Sequence, residues 1–178
     1  TTFFEGKKQY IIEYFYSYMR KRYDIMMFDT KTPEWGQWNF DASNRKKWKG
    51  NPEIPSAKIY KHQVVAIVEL VKNHGVDTIG HIDSNHFNWP ITRKESLDLL
   101  NYFCNTLLKH FGDYQDAMHT DEKFLFHSRL SFAMNSKMLH PKEVINTVVE
   151  YWREHQEDID ISQVEGFIRQ ILGWREYM

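Results

Sequence analysis

The stretch TRKESLDLLNYFCNTLLKHFG, residues 92–112, decides the fold class. Thr92 and Glu95 have the spacing of a capping box, in which two side chains satisfy backbone N–H groups at the start of a helix. Apolar side chains then recur every three or four residues, as on one face of an α-helix: Leu97, Leu100, Cys104, Leu107 and Phe111. The stretch predicts a long amphipathic helix that ends at Gly112.

Four further segments show the same helical period. The predicted helices run from about Ile11 to Tyr23, from Lys61 to Asn73 with Gly75 as the stop, from Pro141 through Trp152, and from Val164 to Tyr177. Ser162 and Glu165 predict a second capping box for the last of them. The face of the Lys61–Asn73 helix is formed by Val64, Ile67, Val68 and Val71. Because no series of strands and no internal repeat is visible, we predict an all-α fold.

Between the first two helices, residues 24–60 lose the helical period. This stretch contains prolines and glycines, which favour turns and irregular backbone. Its aromatic residues between Trp35 and Trp48 argue against disorder, because disordered segments contain few aromatics. We therefore predict an ordered, irregular connector.

Composition excludes some classes of protein. A net charge of −1 and a pI of about 6.7 exclude a strongly basic nucleic-acid binder, although a local basic patch remains compatible with them. Aromatic residues make up 16% of the chain, which fits either a ring-rich core or a site that stacks planar ligands. No signal peptide and no apolar run of about 20 residues is present, so we expect a cytoplasmic protein without a membrane partner.

Cys104 is the single cysteine, so the chain cannot form an internal disulfide. An iron–sulfur cluster needs about four cysteine ligands, and this chain alone cannot hold one. Cys104 lies within the apolar pattern of the 92–112 stretch, and we predict that it is a small buried hydrophobe.

Residues 126–135 and 139–144 read FHSRLSFAMN and LHPKEV. Hydroxyls, an arginine and backbone donors near a helix start suit phosphate binding, although ordinary capping and surface polarity explain them as well. The pattern resembles the flavin-pyrophosphate loop of photolyases and cryptochromes. The matching residues are Ser128, Arg129, Leu130, Ser131, Leu139, Pro141 and Glu143, whereas His127 and Phe132 stand where that family usually has Thr and Pro.

Residues 167–177 resemble the helix that this family places between flavin and DNA. The resemblance implies that Phe167 contacts the cofactor and that Arg175 faces its phosphates or an internal acid. Trp174 and Gln170 would face the extruded lesion and are the implied catalytic residues. Gly173 is an insertion relative to most photolyases and is typical of the bacterial iron–sulfur class. Upstream, Tyr114 stands where the family places a tyrosine against the flavin phosphates.

Three more segments, residues 19–22, 38–45 and 89–93, resemble the same bacterial class. The resemblance implies that the chain is an internal fragment of such a protein. Residues 1–60 would be a first helix and interdomain connector, and residues 61–178 the first part of the helical FAD-binding domain. A longer parent would then carry FAD, a 4Fe-4S cluster and an antenna chromophore such as a lumazine, with no obligate protein partner.

The activity implied by the resemblance is light-driven, FAD-dependent repair of pyrimidine photoproducts in DNA, with (6-4) lesions as the substrates of the class. The parent would be a DNA photolyase, a lyase, and the isolated fragment would be inactive. Two alternatives stay open at this point. One is a cryptochrome-type blue-light photoreceptor without repair activity, and the other is a non-catalytic DNA-binding fragment.

Two groups of charged residues, one on the connector and one that pairs the connector with a later loop, are further candidates. Arg45, Lys46, Lys47 and Lys49 lie within five residues and could bind DNA phosphates, although a solvated loop would also carry them. Asp41 and Asp116 could hold Mg²⁺ with water molecules, since that ion prefers oxygen ligands. Helix capping or pairing with arginine is the simpler explanation for the two aspartates.

Overall fold

The computed structural model describes residues 3–177, and within them the fold is all-α, as predicted. It contains two isolated β-bridges, Met27 with Pro33 and His62 with Phe87, and no strand within that range. The helices are α1 Ile12–Tyr23, α2 Val65–Asn73, α3 Arg93–Tyr102, α4 Leu108–Tyr114, α5 Ser131–Asn135, α6 Pro141–Glu154 and α7 Ile161–Ile168.

Two π-helical segments interrupt the predicted long helices. Phe103–Leu107 separates α3 from α4, and Arg169–Arg175 follows α7. The predicted helix over 92–112 is therefore a helix–π–helix, which ends near Tyr114. One extra residue in a helix is commonly accommodated as a π-bulge. Gly173, the predicted one-residue insertion, lies inside the second π segment, so the wider π turn can accommodate the extra residue.

The cap at Thr92 and Glu95 is confirmed, because each side chain bonds to the backbone of the other residue. The predicted second capping box at Ser162 and Glu165 is wrong. Asp160 caps α7 instead, since its Oδ1 accepts from the Ser162 amide at 2.8 Å. Glu165 points inward and accepts from the Phe40 amide at 2.9 Å.

The second helix begins at Val65, four residues later than predicted. Residues before it are extended, since His62 and Phe87 exchange both backbone hydrogen bonds at 3.0 Å. None of the side chains in α2 is buried, so its predicted apolar face is only partly covered. The connector has the predicted irregular form, with short 3₁₀ turns at Glu34–Gly36 and Asp41–Ser43.

One hydrophobic core joins α1, α3, α4, α6 and α7. Trp152 on α6 is a central member and donates from its indole N–H to the Ile159 carbonyl at 3.0 Å. Burying an aromatic ring of this size contributes strongly to stability while the polar N–H finds a partner. Cys104 is 3% exposed in this core, as predicted.

Helices α4 and α7 cross at two glycines. A Cβ on Gly112 would lie 2.7 Å from Gln163 Cα, and one on Gly166 would lie 2.7 Å from Asn44 Nδ2. Asn44 comes from the connector, is fully buried and donates to the Ser162 carbonyl at 2.8 Å. The close crossing therefore fixes the connector against the helices that carry the candidate site.

Candidate functional site

The predicted phosphate loop has a defined backbone. Leu125 and Arg129 have φ values of 43° and 56°, in the left-handed region that non-glycine residues adopt only when their surroundings enforce it. The buried side chain of Leu130 anchors the loop, and Ser131 begins α5 with an exposed side chain. Within residues 3–177 the amide N–H groups of Ser128 and Arg129 have no hydrogen-bond acceptor. Free amides beside an exposed hydroxyl are donors that suit a phosphate.

His127 stands where the resembled pattern has a hydroxyl. Burial lowers the pKa of its imidazole, which favours the neutral ring. Its backbone amide donates to the Phe124 carbonyl at 2.9 Å and closes the turn before the loop. In this structure His127 shapes the loop, and its predicted contact with a cofactor stays a prediction.

The Arg129 side chain turns towards the connector. Its Nη2 donates to the Lys58 carbonyl, and its guanidinium lies 4.5 Å from the centroid of the Phe124 ring. Burial lowers the pKa of Arg129, and no carboxylate among the described residues forms an ion pair with it. The guanidinium of Arg129 is therefore occupied by the connector in this structure. Its predicted contact with a cofactor stays a prediction.

Tyr114 brings the connector and the loop together from α4. Its ring stacks on Phe126 with a centroid distance of 5.2 Å, and its hydroxyl donates to the Asn51 carbonyl at 3.3 Å. The residue is buried, and its hydroxyl already has the Asn51 carbonyl as a partner. The predicted contact between Tyr114 and flavin phosphates stays a prediction.

The C-terminal helical segment presents its predicted residues on different sides. Trp174 is 38% exposed, and its ring meets Tyr177 edge to face at 6.1 Å. Gln170 donates to Gln115 Oε1 at 3.4 Å, and Arg175 donates to Asn135 Oδ1 at 2.8 Å. An exposed tryptophan ring can stack on a planar group, and an amide side chain can bind the edge of one.

Phe167 lies in the core. It is 2% exposed and packs on Phe103 at 4.6 Å and on Phe111 at 5.2 Å between ring centroids. Phe167 therefore packs within the core in this structure, and its predicted contact with a cofactor stays a prediction.

The cations of the connector are partly neutralised. Arg45 is paired with Asp41, and Lys46 Nζ lies 2.8 Å from Asp113 Oδ2. The hydrogen bond to Asp113 raises the pKa of Lys46, so its charge is secure. Lys47 and Lys49 are exposed and form no ion pair with a described residue. Arg45 and Lys46 are therefore each partly neutralised by a carboxylate, whereas Lys47 and Lys49 have no ion-pair partner among the described residues.

Asp41 is held by two arginines. Arg45 bonds to Oδ2 and Arg169 Nη2 bonds to Oδ1 at 2.7 Å, and these hydrogen bonds lower the pKa of Asp41. Asp116 is exposed nearby. Within residues 3–177 no group of three or more His, Cys, Asp and Glu side chains gathers to hold a metal ion. The predicted magnesium site at Asp41 and Asp116 stays a prediction.

Sequence reasoning missed a buried ionic group behind Asp41. Glu165 is 0% exposed, and its Oε1 lies 3.3 Å from Arg169 Nε. Burial raises the pKa of Glu165 despite that neighbour. The Tyr16 hydroxyl is also buried there. Arg20 on α1 holds the connector against that helix by donating to the Trp38 carbonyl at 2.9 Å. The spacing of Ser162 and Glu165 had marked Glu165 only as part of a capping box, since a buried carboxylate leaves no local sequence signal.

Comparison with known proteins gives the class as photolyase-related. The chain belongs to the family described as "Deoxyribodipyrimidine photo-lyase-related protein", whose sequence model matches residues 1–89, half of the chain. A (6-4) photolyase of Agrobacterium fabrum is 36% identical over 180 residues, which cover 97% of this chain and 34% of that protein. An uncharacterized protein (R853) of Acanthamoeba polyphaga mimivirus is 39% identical over 64 residues, 36% of this chain and 48% of the viral protein.

The chain thus spans about a third of the length of the first of these relatives. In the described residues no helix is both long and apolar enough to cross a membrane.

Proposed function

We propose that this chain forms part of a flavin-dependent DNA photolyase that repairs pyrimidine photoproducts, with the (6-4) lesion as its substrate. The observation that carries the proposal is the exposure of Trp174, at 38%, one helical turn from Gln170. Trp174 lies in the segment that resembles the helix between flavin and DNA, and an exposed ring at that place can stack on an extruded base.

The phosphate loop would bind the pyrophosphate of FAD. The free amides of Ser128 and Arg129 and the exposed hydroxyl of Ser131 are the donors that support this assignment. Tyr114 and Arg175 would add further donors to the phosphates, once their present hydrogen bonds to Asn51 and Asn135 are broken. Flavin, when bound, supplies the light-driven electron transfer, and the protein supplies binding, orientation and exclusion of water.

On the DNA side, Trp174 would stack on a base that has left the duplex, and Gln170 would bind the edge of that base. Enzymes that act on a base inside a duplex commonly extrude it first. Arg45, Lys46 and Lys47 would bind backbone phosphates, which position a protein on DNA without reading sequence. We also propose that the protein is cytoplasmic.

The residues here do not fit an iron–sulfur cluster. Cys104 is the single cysteine of the sequence, it is buried, and burial raises the pKa of its thiol to about 12. A cluster, like a lumazine antenna, is proposed only for the longer protein and would draw its ligands from outside this sequence. Neither group takes part in the proposed action of the present residues.

FAD titration tests the phosphate loop directly. We expect this chain alone to bind FAD more weakly than micromolar, because a partial pocket still carries the fixed cost of association. In a longer polypeptide that contains the chain, Ser131→Ala should weaken FAD binding. Ser136→Ala, which removes an exposed hydroxyl bonded to the Phe132 carbonyl, is the matched control and should not. Equal effects of the two substitutions would contradict the assignment of the loop.

A further inference from the structure

Three side-chain hydrogen bonds attach the end of the connector, residues 55–60, to the rest of the chain. Tyr102 on α3 donates to the Ser56 carbonyl at 2.6 Å, and Arg129 donates to the Lys58 carbonyl. Tyr60 donates back to the Glu95 carbonyl at 2.8 Å. An irregular segment held at three successive points has a defined path even without regular secondary structure.

Arg129 differs from the other two attachments because it belongs to the candidate phosphate loop. Its backbone is left-handed, with φ at 56°, and its guanidinium both donates to the Lys58 carbonyl and lies 4.5 Å from the centroid of the Phe124 ring. A residue keeps such a backbone conformation only when the surrounding contacts enforce it. The contacts of its side chain with the connector are therefore part of what shapes the loop.

We propose that Arg129 is a positioning residue that clasps the connector to the phosphate loop, and that it does not itself ligate the cofactor. The fork of the guanidinium donates to the connector while the amides of the loop stay free for an anion. Through this clasp, the loop that would hold flavin and the connector that carries Arg45 and Lys47 share one structural element. Its consequence for flavin rests on the proposed function, but the clasp itself does not.

The clasp predicts how the flavin-free chain responds to a protease. Chymotrypsin cleaves after aromatic residues, and Tyr60 lies at the end of the clasped segment. Cleavage at a protected site follows the population of the opened form when opening is fast. Loss of a charge-assisted hydrogen bond should raise that population, and hence cleavage after Tyr60, roughly tenfold. Cleavage after Trp35, which is 67% exposed outside the clasp, is the internal reference.

Arg129→Gly is the first variant, because glycine accepts the left-handed backbone and keeps the fold while it removes the side chain. Arg129→Lys keeps the charge but loses the fork and should give an intermediate rise. Lys58→Ala is the matched control: it removes the ion pair of Lys58 with Asp98 at 2.7 Å and leaves the carbonyl that Arg129 binds. Helical circular dichroism shows whether each variant is folded.

Cleavage after Tyr60 at the wild-type rate in Arg129→Gly would overturn the clasp, as would full protection in Arg129→Lys. A second measurement follows FAD affinity in a longer polypeptide that contains the chain. There, Arg129→Lys should weaken FAD binding if the clasp shapes the loop, and unchanged affinity would contradict that consequence. If the unsubstituted polypeptide binds no FAD at all, the proposed function fails, while the protease result still decides the clasp.

Discussion

Arg169 Nη2 lies 2.7 Å from Asp41 Oδ1, so one carboxylate on the connector is shared between the partly buried Arg169 and the exposed Arg45. This pairing fixes the connector to the helical segment that carries Gln170 and Trp174. A phosphate that binds Arg45 would compete with Asp41 for the guanidinium. The contribution of Arg45 to DNA binding should therefore be modest and strongly dependent on salt.

Arg45→Ala should weaken binding to damaged and undamaged DNA by similar factors in a longer polypeptide that contains the chain. Removal of one phosphate contact should lower the salt slope of log K by about 0.9 on duplex DNA. A salt titration of both proteins measures it. Arg153→Ala is the control, since Arg153 is also an exposed arginine paired with a carboxylate, Glu34. Parallel salt slopes would show that Arg45 touches no phosphate.

Trp174→Ala should weaken binding to lesion-bearing DNA more than binding to undamaged DNA. Stacking on an extruded base contributes roughly 1–3 kcal/mol, and an undamaged duplex offers no extruded base. Trp35→Ala removes another exposed ring, from the 3₁₀ turn of the connector, and should change both affinities equally. If Trp174→Ala also changed both equally, its proposed stacking role would be lost.

Gly166→Ala should destabilise the fold by about 1–3 kcal/mol, the usual cost of overpacking a close contact. Its new methyl group would lie 2.7 Å from Asn44 Nδ2 and 2.9 Å from Gln115 Oε1. Gly173→Ala is the matched control, because its methyl group would meet atoms no closer than 3.5 Å and alanine favours helix. Urea unfolding of both variants checks the difference, and a stable Gly166→Ala chain would contradict the close packing of α7 against the Asn44 and Gln115 side chains.

Cys104 should resist thiol reagents in the folded chain. Burial raises the pKa of its thiol from 9.0 to about 12, so the folded state keeps a proton that the unfolded state loses above about pH 9. That contribution to stability is complete below pH 9 and is lost as the pH rises towards 12. At pH 8, labelling by Ellman's reagent should be slow in buffer and fast in urea. Rapid labelling of the folded chain would show that Cys104 is accessible.

Local signals in the sequence predicted much of this fold. The end of α1 at Tyr23, the cap at Thr92 and the start of α6 at Pro141 each depend on a few neighbouring residues, and the structure confirms all three. The predicted start of α2 at Lys61 was wrong, because the long-range pairing of His62 with Phe87 keeps the residues before Val65 extended. The predicted cap at Ser162 was wrong because of another tertiary contact. Glu165 lies in the core beside Arg169, so it does not cap the helix, and Asp160 caps α7 instead.

The candidate site could be predicted only as a set of motifs. The sequence marks Ser128, Ser131 and Trp174 through the pattern they share with photolyases, but it does not say which side chains are free. Arg129 faces the connector and Phe167 lies in the core because of packing between distant segments. The glycine crossing of α4 and α7 is also a tertiary contact, with no periodic signal in either helix.

Light-dependent repair tests the central claim most directly. The longest polypeptide that carries this chain, loaded with FAD, is mixed with an oligonucleotide that contains one (6-4) photoproduct, and the product is separated chromatographically after blue light or darkness. We predict that the intact oligonucleotide appears only in the light and that Trp174→Ala reduces its yield while flavin content stays unchanged. A flavin-loaded protein that binds the lesion and restores no oligonucleotide under light would contradict the account.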